Sequence, residues 1–132
     1  MGGWGDLGKA DLPETVQYVD SVPHDWLFPR LSAVVHHGGA GTTSTGLRYG
    51  RPTIIVPFFA DQPFWGEQVH RLGAGPHPIP FTRLSVENLS QAIDQSVSDL
   101  DMRRKAAELG GKLQCEDGVG KAVDFIRSII GT

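Results

Sequence analysis

The stretch Val34-Val35-His36-His37-Gly38-Gly39-Ala40-Gly41-Thr42-Thr43 decides the fold: an apolar run, two histidines, three glycines and two hydroxyls. The valines favour a buried, pleated backbone, the glycines permit positive φ and close approach, and Thr42 or Thr43 is expected to cap the helix that follows. A strand emptying through such a turn into a helix presents unpaired N–H groups at the positive end of a dipole. A phosphate is the natural guest. His37 is placed to donate an N–H to the same oxygens, and the Thr42 and Thr43 hydroxyls add two further donors. Taken alone, the turn reads equally well as tight packing.

A second loop breaks that tie. Thr53-Ile54-Ile55-Val56 is apolar on both faces, as a strand inside a parallel sheet is, and it opens into Pro57-Phe58-Phe59-Ala60-Asp61-Gln62-Pro63. Pro63 suits the first turn of a helix running to Leu72 and closed by Gly73. Ligands of open parallel sheets lie outside the carboxyl ends of the strands, so the loops at Gly38 and Asp61 should border one crevice. The first offers donors for a diphosphate; Asp61 and Gln62 offer a carboxylate and an amide for vicinal hydroxyls of a sugar. The structural alternative for Asp61 is a helix cap, whereas Gln62 has no such role.

Upstream, residues 1–14 read as loop and Thr15–Val19 as a short alternating strand. Pro23 breaks the chain, Asp25 is expected to cap a short helix that buries Trp26, Leu27 and Leu31, and Ser32–His36 forms the next strand. A helix over Thr43–Tyr49 ends at Gly50, with Pro52 making the stop final. Downstream, Gly75–Pro80 is confined to a sheet edge or a loop by Pro76, Pro78 and Pro80. Ser85 caps a helix carrying Leu89, Ile93 and Val97. A second helix over 101–113 buries Met102, Ala106 and Leu109, and a third over 118–130 aligns Val119, Ala122, Val123, Ile126 and Ile130. Strands alternating with helices predict right-handed βαβ units, an α/β fold with a Rossmann-like parallel sheet.

The 132 residues suit one compact domain or part of a larger one. A net charge of −3 with scattered lysines and arginines gives no footprint for a nucleic-acid backbone, and no DNA or RNA partner is expected. Cys115 is the only cysteine, which excludes an intramolecular disulfide and a cysteine-based metal cluster. No integral membrane segment is evident, and a cytoplasmic setting is expected. A zinc site from His36, His37 and Asp61 is disfavoured because neighbouring strand residues diverge, with His36 pointing opposite to His37.

Val35 to Thr43, then Gly50-Arg51-Pro52-Thr53, then Pro57 to Pro63, resemble the donor-binding signature of family-1 UDP-glycosyltransferases. Val22-Pro23-His24-Asp25-Trp26-Leu27-Phe28 and the paired histidines are most similar to the sterol 3-beta-glucosyltransferase branch, which acts in lipid metabolism. The resemblance implies the C-terminal domain of a GT-B glycosyltransferase and inverting transfer of glucose from UDP-glucose to a sterol or other lipophilic hydroxyl. No cofactor and no obligatory metal are implied. By this likeness Val22 and His24 hold the uracil edge. His37, Gly39, Gly41, Thr42 and Thr43 hold the diphosphate, and Asp61 with Gln62 grips the sugar. Thr45 and Gly46 stand near the position of the ribose-binding glutamate of plant relatives, so that contact must come from elsewhere.

The general base is expected in an N-terminal acceptor domain that these 132 residues do not contain. The domain is expected to be incomplete on its N-terminal side and inactive alone, and exposed apolar surface should favour self-association. A peripheral membrane location of the full-length protein is compatible with this reading. The alternatives are a non-catalytic UDP-sugar-binding fragment, a partner-dependent subunit of a split glycosyltransferase, or a nucleotide-sugar epimerase or hydrolase on the same two-lobe plan.

Overall fold

The structure, a computed structural model, describes residues 12–131. Of the loop expected over residues 1–14, positions 1–11 lie outside the described residues. Helix α1 (His24–Leu27) runs into a 3-10 turn at Phe28–Arg30 and then strand β1 (Val34–His36). Helix α2 (Ala40–Arg48), strand β2 (Thr53–Ile55) and helix α3 (Gln62–Arg71) complete the alternating part of the chain. A 3-10 turn at Phe81–Arg83 precedes three helices, α4 (Val86–Ser98), α5 (Leu100–Gln114) and α6 (Gly118–Ile130).

Among the described residues β1 and β2 pair in parallel, with Val34 opposite Thr53 and His36 opposite Ile55. This is the expected βαβ unit. The period of two along β2 divides the core between its faces. Ile55 packs with Leu47, Val69, Ala74 and Ala106, which come from α2, α3 and α5 and the turn after α3. Ile54 packs with Ile79 and Ala92 on the other side, under α4.

Residues 75–80 are not a strand, yet they follow the free edge of β2: Ile79 N–H donates to the Ile55 carbonyl at 2.9 Å and Phe81 N–H to Pro57 at 3.1 Å. Prolines 76, 78 and 80 fall on the alternate positions, where no donor is needed. The strand expected at Thr15–Val19 does not form. Val16 and Tyr18 are both exposed, so the alternating pattern does not sort an inner face from an outer one there.

The helix boundaries hold to within a few residues, with one consequential shift. Helix α2 starts at Ala40, three residues before the expected Thr43, with Gly39 as N-cap and no side-chain cap. Gly50 ends it at φ +67°, and a Cβ on Gly110 of α5 would meet Gly50 Cα at 2.7 Å, so α5 seats directly on this turn. Ser85 and Asn88 form the expected cap of α4 as a reciprocal capping box. The apolar stripe of α6 finds no core among the described residues: none of its residues is buried, and Val119, Phe125 and Ile129 are 78%, 66% and 67% exposed.

Candidate functional site

The carboxyl ends of β1 and β2 empty into adjacent loops. Val56 N–H donates to the His36 carbonyl at 2.9 Å, extending the strand pair to the mouth of the site. Gly38 follows at φ +92°, where a Cβ would stand 2.6 Å from Ile55 Cγ2 and 3.2 Å from the Gln62 carbonyl oxygen. The backbone of the glycine loop therefore lies directly against the start of α3. The two loops meet at this contact, while the large cavity beside β1 takes no wall from the Asp61 loop.

Helix α2 begins with open donors. The first amide bonded within it is that of Thr43, which donates to the Gly39 carbonyl at 2.9 Å. Those of Ala40, Gly41 and Thr42 precede it, with no side chain capping them. His37, exposed, folds its ring back over the loop: a Cβ on Gly39 would stand 2.7 Å from His37 Nε2.

A cavity of about 420 Å³ opens beside β1, with Val22, His24, Phe28, Val35, His36 and Thr42 among its walls. It thus gathers three of the positions expected at the donor site, Val22, His24 and Thr42. His24 lies flat on Phe28, ring centres 4.5 Å apart. Phe28, not Trp26, is the buried aromatic of this segment; Trp26 is 54% exposed and carries the Arg30 guanidinium over its ring. The cause is the break from α-helix to 3-10 turn at Phe28, which rotates the apolar face away from a regular helical spacing. Nor does Asp25 cap α1 from outside: Pro23 holds the N-cap position and Asp25 sits within the first turn. A smaller cavity, about 180 Å³ beside Gly50 and Arg51, lies at the amino end of β2, away from the loops that hold ligands in such sheets.

Three expected residues are placed differently. Thr43 is 2% exposed, one turn inside α2, and its hydroxyl is buried without a partner, so it neither caps the helix nor reaches the cavity. Gln62 does have a structural role. It is buried, and its Oε1 accepts from Phe58 N–H at 2.8 Å and Phe59 N–H at 3.2 Å, fixing the loop that bears Asp61. Asp61 holds the N-cap position of α3 without capping it; its Oδ2 instead accepts from the Trp65 indole at 2.8 Å. Neither Asp61 nor Gln62 is in the wall of the large cavity.

His36 is the residue that reading by alternation missed. The strand ends at His36, so its ring and that of His37 do not diverge fully but meet edge to face, centres 6.2 Å apart. The His36 Nδ1 accepts the Gly38 N–H at 3.0 Å. Burial first, then the neighbouring His37 and His24, push this imidazole down to about 4. It is neutral at neutral pH, with the proton on Nε2, which is buried and unpartnered. Among the described residues no cluster of three or more metal-ligating side chains exists, and no helix is long and apolar enough to cross a membrane.

Known proteins share this arrangement. Residues 6–117 match the family described as erythromycin biosynthesis protein CIII-like, C-terminal domain. A sterol 3-beta-glucosyltransferase of Arabidopsis thaliana is 55% identical over 124 residues, covering 92% of this chain and 20% of that protein. A sterol 3-beta-glucosyltransferase of Yarrowia lipolytica is 43% identical over 143 residues, 97% of this chain and 10% of that protein. The chain thus spans about a fifth or less of the length of these relatives. Among solved structures, the glycotransferase of kitacinnamycin superposes with a TM-score of 0.84 at 28% identity, over 96% of this chain and 33% of that one. Glycosyltransferase VinC in complex with DTDP superposes with a TM-score of 0.75 at 29% identity, over 86% of this chain and 30% of that one. These neighbours have the GT-B fold, and the small parallel sheet with its flanking helices corresponds to part of their C-terminal domain. A match over most of its length places the chain in the erythromycin biosynthesis protein CIII-like C-terminal domain family, among the family-1 glycosyltransferases.

Proposed function

We propose that this chain is the donor-binding part of a glycosyltransferase that moves glucose from UDP-glucose to a sterol or another lipophilic hydroxyl, with inversion at the anomeric carbon. One observation carries the reading: the open amides at the start of α2 and the Asp61 loop follow the carboxyl ends of one parallel strand pair, and the cavity walled by Val22, His24 and Thr42 runs along β1 to the start of α2. The names of the similar sterol glucosyltransferases support the acceptor class, and the diphosphate named with VinC supports a nucleoside diphosphate as the ligand.

In this reading Val22 and His24 border the base, and the amides of Ala40, Gly41 and Thr42 with His37 receive the diphosphate. The Asp61 carboxylate, whose Oδ1 is not engaged by Trp65, accepts from sugar hydroxyls. As the acceptor oxygen attacks the anomeric carbon, negative charge grows on the departing UDP. Preoriented amides and His37 stabilise it without reorganising. The acceptor's proton passes to a base in a domain outside these residues, and the chain alone is inactive. The reading requires no obligatory metal. The single cysteine suits a cytoplasmic setting, and a lipophilic acceptor favours a peripheral membrane location for the full-length protein.

Calorimetric titration with UDP-glucose, UDP and GDP-glucose tests the reading. Binding of both uridine ligands and none of the guanosine ligand is expected; no heat from either uridine ligand overturns it. A non-catalytic UDP-sugar-binding fragment or a partner-dependent subunit is the second reading. Turnover with and without an added acceptor lobe separates the two.

A further inference from the structure

We propose that His36 is the positioning residue of the diphosphate loop: its Nδ1 holds the Gly38 N–H and so fixes the direction in which the amides of Ala40, Gly41 and Thr42 open. The inference rests on the donor-site reading above and goes beyond it, because His36 is assigned no contact with the ligand.

Three observations carry it. The Gly38 N–H to Nδ1 bond, at 3.0 Å, ties the last residue of β1 to the residue two positions on, across the point where the strand direction is lost. Gly38 is itself wedged between Ile55 Cγ2 and the Gln62 carbonyl at φ +92°. Side-chain bond and backbone wedge together leave the turn one conformation, and Gly39 then launches α2. Finally, the other ring nitrogen, Nε2, is buried and has no partner. An apolar side chain at this position would carry no such unsatisfied donor, so a histidine here is explained by what Nδ1 does.

The geometry requires an acceptor at the Nδ1 position and nothing at Nε2. Asparagine places an oxygen near the former; glutamine, of the same polarity, places it near the latter. UDP titrations of the 132-residue chain and its His36→Asn, His36→Gln and His36→Phe variants, with amide exchange of Gly38 read by NMR, test this. His36→Asn is expected to keep UDP affinity within about threefold and to keep Gly38 protected, while His36→Gln and His36→Phe bind at least about tenfold more weakly and lose that protection. If His36→Phe fails to fold, the asparagine and glutamine pair decides alone. Wild-type affinity in the glutamine variant, or loss in the asparagine variant equal to that in glutamine, overturns the proposal while leaving the donor-site reading intact. A wild-type chain that takes up no UDP overturns both.

Discussion

Gly38 and Gln62 touch backbone to backbone: a Cβ on the first would lie 3.2 Å from the carbonyl oxygen of the second. Two loops separated by a whole helix and strand in the chain are thereby held as one surface. Gly38→Ala forces a side chain into φ +92° and against Ile55 Cγ2. It is expected to cost about 1–3 kcal/mol. Urea denaturation measures this, and a variant as stable as the parent would show that the loops do not depend on the contact.

Asp61 is the residue whose substitution tests the proposed division between sugar and nucleotide contacts. Its Oδ2 is engaged by the Trp65 indole, so the second carboxylate oxygen is available to a hydroxyl. Asp61→Asn is expected to weaken UDP-glucose by about tenfold and UDP itself hardly at all. Equal losses for the two ligands in parallel titrations would reduce Asp61 to orienting Trp65.

Thr43 tests the opposite outcome. Its hydroxyl is buried without a partner, and Thr43→Val replaces it by a methyl of similar size. Stability is expected to stay level or rise by up to about 1 kcal/mol, with UDP affinity unchanged. A loss of affinity in calorimetry would return Thr43 to the diphosphate site.

Acid should loosen the fold through His36. Its folded-state value of about 4 lies below the ordinary 6.5, so between these the unfolded chain binds a proton that the folded chain refuses. Stability tied to this group is full above pH 6.5, falls as pH drops through that window, and levels off below about 4. The loss is on the order of 3 kcal/mol. His37 and His24 face the same ring, and His36→Asn removes the His36 imidazole while leaving both of those side chains in place. Denaturation midpoints at several pH values between neutral and about 4.5 should fall less steeply in that variant. Identical slopes would assign the pH dependence to other groups.

The position of His36 shows where reading by alternation stops. A strict two-residue period sends neighbouring side chains to opposite faces, and it holds only while the strand lasts. Here β1 ends at His36, which frees its ring to bond the Gly38 amide. Gln62 shows the same limit from the other side. A polar residue on a predicted loop reads as available to a ligand, yet folding turns its amide inward onto Phe58 and Phe59.

Apolar runs, proline and glycine stops and capping residues, all local signals, were enough to place β1, β2 and the helices after them, together with the parallel pairing and the two loops at the strands' carboxyl ends. Those features follow from backbone preferences and periodicity, which neighbouring residues determine among themselves. Tertiary packing alone decided which side chains face the cavity and which are spent inside the fold. It buried Thr43 and Gln62, put Phe28 in place of Trp26, kept Thr15–Val19 from becoming a strand, and left the side chains of α6 exposed. Each of these outcomes depends on what lies across the contact, and that is set by residues far along the chain.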